Sequence, residues 1–184
     1  ISQNGIKQKA ERNLKILEKE YKEKPNTYTA FHLGQTLVTL NRTDESIKYF
    51  RESLERSDLD NLHKAHANRF IAAYYLDKDD LKEAEKFISA GMEMNNEVPL
   101  LHLVASKLYL QQGDFTKACN HAEYAFELNQ KELAGSAQKP FQINVNPLSL
   151  VIHNLNIALW SGNADLFNKF QTHKELNVVS DGQR

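Results

Sequence analysis

Asn41-Arg42-Thr43-Asp44-Glu45-Ser46 comes back as Asp79-Asp80-Leu81-Lys82-Glu83-Ala84, and again as Gly113-Asp114-Phe115-Thr116-Lys117-Ala118. The last step, Ala84 to Ala118, is 34 residues, and the first, Ser46 to Ala84, is 38. A period near 34 with a helix on each side of the phrase predicts stacked helix pairs. Small residues recur in register with it. Gly34, Ala72 and Ser106 follow an apolar residue in each first helix, and Ser46, Ala84 and Ala118 sit in each second helix. A period in residue size, aligned with a turn phrase, separates this packing from a generic bundle. Gly34 inside a helix costs about 1 kcal/mol relative to alanine, and close approach of the partner helix is the expected compensation.

The pattern assigns a lone helix to 5–24, repeat one to 27–60, repeat two to 62–96 and repeat three to 99–130. An insertion loop follows at 131–146, then a degenerate fourth pair or cap at 147–176 and a frayed tail at 177–184. All of it reads as one domain, 1–184. Ile6, Ala10, Leu14, Leu17 and Tyr21 form the apolar stripe of the first helix. Pro25-Asn26-Thr27 ends that helix and caps the next. Pro99 and Pro147 suit first helical turns. Four extra residues near Ser57-Asp58-Leu59-Asp60-Asn61 fall in a connecting loop, with both carboxylates read as loop solvation. In the fourth pair Phe167 stands where small residues stood, as a terminal cap allows.

Lys and Arg number 23 against 24 Asp and Glu, a net charge of −1, so no electrostatic footprint for nucleic acid or an anionic membrane exists. No apolar run approaches the ~20 residues of a membrane span. The single cysteine, Cys119, rules out an internal disulfide and points to a reducing, cytoplasmic compartment. The chain starts at Ile1 rather than Met and reads as a piece of a longer protein. His63 and His66 lack a third ligand at metal spacing, so no metal is expected. His102, His121 and His153 read as packing or groove residues, and Cys119 as a buried thiol. No phosphate loop, GxSxG or paired acid–base constellation appears, so no catalytic residue and no cofactor are assigned.

Leu33-Gly34, Ser46 and Phe50, then Tyr75 and Ala84, then Tyr109, Gly113-Asp114 and Ala118 resemble the tetratricopeptide repeat (TPR) family. The resemblance implies an all-α, right-handed solenoid of antiparallel helix pairs whose first helices line a concave groove. Carried over, that groove holds Tyr28, Phe31, Gln35 and Thr39, then His66, Arg69 and Ala73, then Leu103, Lys107 and Gln111, with Ile152 and Asn156 from the last pair. A protein or peptide is the implied partner. The subgroup that clamps a terminal carboxylate uses Lys and Asn where this chain has Phe31 and Gln35. Lys9-x-Glu11-Arg12-Asn13, Leu17-Glu18, Pro25-Asn26 and Phe31-x-Leu33-Gly34-Gln35 further resemble the junction after the catalytic domain of bacterial family 2 glycosyltransferases. That implies an accessory region positioning an acceptor. The alternatives are a self-association module and a catalytic fragment acting on a sugar nucleotide through Asp58-Leu59-Asp60.

Overall fold

Each helix pair is closed by the same two-residue turn, and that turn sets the architecture. The computed structural model describes residues 3–55, 58–135 and 145–176. Among them the chain forms nine α-helices and no strand: α1 (Gln3–Glu23), α2 (Thr27–Thr39), α3 (Thr43–Leu54), α4 (Asn61–Asp77), α5 (Leu81–Met94), α6 (Pro99–Gln111), α7 (Phe115–Ala134), α8 (Pro147–Ser161) and α9 (Ala164–Gln171). Asn41, Asp79, Gly113 and Gly162 take φ of 59°, 60°, 77° and 66°. The next amide then reaches back to the carbonyl five residues earlier: Arg42 to Leu37, Asp80 to Tyr75, Asp114 to Tyr109 and Asn163 to Ala158, at 2.8–2.9 Å. This is the Schellman arrangement, which satisfies orphan carbonyls at the end of the first helix. Glycine takes the left-handed position freely, and Asn and Asp tolerate it.

The second turn residue starts the next helix. Asp80, Asp114 and Asn163 accept hydrogen bonds from the amides of Glu83, Lys117 and Leu166. Arg42 cannot cap in this way, and its guanidinium donates instead to both carboxylate oxygens of Glu45 at 2.6 Å. The turn phrase is thus a C-cap and an N-cap fused into two residues.

Helices pack in chain order: α1 on α2, α2 on α3, α3 on α4, α4 on α5, then α6 on α7, α7 on α8 and α8 on α9. The expected all-α stack of antiparallel helix pairs is what the chain forms. It divides into two compact units, Ile1–Asn96 and Glu97–Arg184.

In the first unit Phe31, Phe50, Leu33, Leu37, Ile71 and Ile88 are fully buried. A Cβ on Gly34 would lie 2.8–2.9 Å from the Phe50 ring, so the glycine is what lets α3 approach α2. Phe50 also stacks on Phe70 at 4.6 Å. Ser46 and Ser53 turn their hydroxyls to the carbonyls of Thr43 and Phe50 and present small, satisfied surfaces to their neighbours. Leu14 of α1 packs with Leu33 and Leu37, and Leu17 and Tyr21 join them. Ile6, expected on the same stripe, is exposed. At ~1.5 Å per residue, the 21-residue α1 outruns the 13-residue α2, and its first turns overhang.

The second unit gathers Ala118, Ala122, Val151, Ile157, Ala158, Leu166 and Phe170 into one core, and Phe167 packs against it from the position where earlier repeats have small residues. Asn146 and Asn26 cap α8 and α2 with their side chains.

Two expectations need correction. The insertion loop does not begin at Lys131, because α7 continues to Ala134 and Gly135 ends it. Good helix formers from Glu127 to Ala134 carry the extra turns. The chain is recaptured by Asn129, whose side chain both donates to the Val145 carbonyl and accepts from its amide, each at 3.0 Å. Nor are the two carboxylates near 57–61 merely solvating a loop. Asp58 accepts from the Thr27 hydroxyl, Asp60 caps α4 on the His63 amide, and Leu59 between them is buried. The residues 136–144 and 177–184 lie outside the described ones, as do 56 and 57. No described helix is long and apolar enough to cross a membrane.

Candidate partner-binding faces

The first helices of each pair carry the residues selected from sequence. In the first unit these come from α2 and α4. Tyr28 is 56% exposed and Thr39 is exposed, while Gln35, Arg69 and Ala73 are partly buried. Phe31 and His66 do not line a face. Phe31 has 0% exposure and packs edge-on against Phe50 and the His63 ring, at 5.8 and 4.9 Å. His66 is 4% exposed. Both are packing residues, so a partner has no access to Phe31.

Two residues absent from the sequence selection pack beside Tyr28, His32 partly buried and His63 buried. His32 lies 4.3 Å from the Tyr28 ring and 6.1 Å from His63, and Tyr28 sits 5.5 Å from His63. The His32 Nδ1 contact with Gln35 Oε1 at 3.3 Å requires the Nδ1–H tautomer. The His63 Nδ1 donates to Asp60 Oδ2. The only sequence signals were the one-turn spacing of Tyr28 and His32, and the position of His63 three residues after a helix cap.

In the second unit Lys107 and Gln111 are exposed on α6, Leu103 is partly buried, and Ile152 and Asn156 are exposed on α8. Leu159 and Trp160 stand out further on α8, with Trp160 74% exposed. Behind this face lie paired histidines. His102 and His121 approach through their Nδ1 atoms at 2.8 Å, so one donates and the other accepts. Tyr109 stacks on His121 at 5.3 Å. Ser106 Oγ meets His153 Nε2 at 2.8 Å. That pair is no nucleophile and base, because Ser106 is 0% exposed and no substrate reaches it. Cys119 is likewise buried, with Ser161 Oγ 3.3 Å away. Among the described residues no three of His, Cys, Asp and Glu converge to hold a metal ion.

Burial is the leading cause that lowers the pKa of His32, His66, His121 and His153. His66 is pushed down to about 3 by burial and then by the charge of Arg69. His121 falls to about 4 by burial and then by His102, and His153 to about 4 by burial and then by Lys107. His32 is lowered by burial too. The unfolded chain binds these protons near pH 6.5 and the folded chain refuses them. Stability is therefore complete above that pH and is lost as pH falls toward 4. The urea midpoint is expected to drop between about pH 7.5 and about pH 5, before carboxylates titrate. An unchanged midpoint over that interval contradicts the neutral assignment.

The tetratricopeptide repeat family model matches residues 28–58. That interval covers most of α2, all of α3 and the turn between them, one complete tetratricopeptide-like pair. No curated protein matches the chain. The tetratricopeptide match concerns helix packing and carries no sign of sugar transfer. Of the residues that carry the resemblance to a glycosyltransferase junction, Phe31, Leu33 and Gly34 are core residues of this pair.

Proposed function

We propose that the chain is a protein- or peptide-binding scaffold that recognises its partner through the exposed residues of the first helices: Tyr28, Gln35, Thr39, Arg69 and Ala73 on one unit, and Leu103, Lys107, Gln111 and Asn156 on the other. The tetratricopeptide match over α2 and α3 is the observation that carries this reading, since such repeats are interaction modules. The local geometry supports it. Short capped turns and buried small residues fix α2 and α4, so Tyr28 and its neighbours are presented with little ordering entropy left to lose on binding.

The exposed Ile152, Leu159 and Trp160 of α8 favour a second reading, self-association through the last pair. Association with a family 2 sugar-transfer domain rests on residues 7–35 alone, and the scaffold reading stands without it. A reducing, cytoplasmic setting fits the single buried thiol.

Photo-crosslinking amino acids at Tyr28 and Thr39, compared with exposed Lys48 and Lys82 on the second helices, test the face. An adduct of one mass formed in cell extract at the first two positions only is the expected result. An adduct at twice the chain mass identifies self-association. Equal labelling at all four positions rejects the assignment.

A further inference from the structure

Arg69 occupies a repeat position that is apolar elsewhere. Stepping back 38 residues from 69 gives 31, which is Phe31, and stepping on 34 gives 103, which is Leu103. Nothing in the helix pattern of α4 asks for a cation there. The guanidinium carbon lies 3.7 Å from the centroid of the Phe70 ring. The Nε is shut off from solvent and has no hydrogen-bond partner among the described residues. No described carboxylate pairs with this group. Asp60, the N-cap of α4, is committed to the His63 amide and ring. Burial lowers the guanidinium to about 10, and no acid opposes that shift.

An arginine held against an aromatic ring, partly buried and without an anion, is half of a charge pair. Guanidinium is the side chain whose planar fork matches a carboxylate. We propose that Arg69 receives the side-chain carboxylate of an acidic segment in a partner protein docked on the α2–α4 face of the first unit. This rests on the scaffold reading above and names the partner's chemistry. Tyr28 and Gln35 of α2 flank the segment. The Phe70 ring holds the guanidinium in place, so little of its rotamer freedom is lost on binding. His66 stays neutral in the free chain, which keeps a second positive charge from the site.

The test uses acetylated, C-terminally amidated hexaglutamate on the whole chain, with the Arg69 Nε–Hε resonance assigned through Arg69→Lys. Hexaglutamate is expected to shift that resonance saturably, and about 0.5 M NaCl to weaken the effect. Amidated hexaglutamine is expected to leave it unmoved. Arg69→Gln is expected to weaken hexaglutamate binding about tenfold to a hundredfold at an unchanged melting temperature, from the size of charge-assisted hydrogen bonds.

An unmoved Nε–Hε resonance, or the same shift with hexaglutamine, overturns the proposal. A response only to hexaglutamine with a free C-terminus overturns it in favour of a terminal carboxylate. If hexaglutamate moves the amides of Tyr28 and Gln35 but not Arg69, this inference fails and the binding face stands. If it moves only amides of α3 and α5, both fail.

Discussion

Replacing Phe50 with alanine is expected to cost about 3–5 kcal/mol of stability, the range for emptying a buried aromatic site. The ring is fully buried, lies 5.8 Å from Phe31 and 4.6 Å from Phe70, and covers the Cα of Gly34. None of these neighbours can fill the space without moving a helix. The informative experiment is the double-mutant cycle with Gly34→Ala. Alone, that change adds a methyl into the Phe50 ring. The overpacking cost of about 1–3 kcal/mol exceeds the helix-propensity gain of about 1 kcal/mol. With Phe50 already shortened to alanine the obstruction is gone, and the same methyl is expected to stabilise. Urea denaturation of the four proteins gives the sign. Additive effects of the two changes would show that α2 and α3 do not meet through this contact.

Asn154→Asp is expected to be nearly as damaging, with a pH signature of its own. Asn154 has 0% exposure, and its amide donates to the carbonyls of Ala122 and Leu150 at 3.1 and 3.0 Å. Its Oδ1 is buried with no partner among the described residues. A carboxylate there would face two carbonyl oxygens on one side and no donor on the other. An unpaired buried charge costs about 3–5 kcal/mol. The folded state therefore holds the new carboxyl protonated, with a pKa above the unfolded value of about 4. Below that value both states are protonated and the penalty is small. As pH rises through it, stability falls by about 1.4 kcal/mol per pH unit until the folded group ionises. Asn154→Leu removes the same hydrogen bonds without adding charge, so its penalty is expected to stay flat with pH. Parallel pH profiles for the two variants would show that water or a donor reaches this position.

The turns, the pairing of helices and the small residues at their crossings were legible because each is local chemistry. A left-handed residue followed by a side-chain cap has the same signature wherever it occurs, and Gly34 announced the approach of α3 before any coordinate did. The candidate faces were less legible. Phe31 and Tyr28 are one helical turn apart on α2, and sequence spacing assigns both to the same surface. Phe31 is covered by Phe50 of α3 and by the ring of His63 on α4, and no pattern within α2 contains either. His66 was lost for the same reason, through burial on α4. Arg69 is partly buried, and nothing in the sequence tells a guanidinium paired with an acid from one without. The overrun of α7 to Ala134 was readable, because Glu132, Leu133 and Ala134 favour helix, and the glycine at 135 marked its end.

Asn129 has a bearing on how this chain tolerates change. Its amide grips Val145 as a paired β-strand residue would, so the residue before the α8 cap is tied to α7 by two hydrogen bonds on top of the shared core. A change at Asn129 is thus felt at the entry to the last helix pair, 16 residues further along the chain.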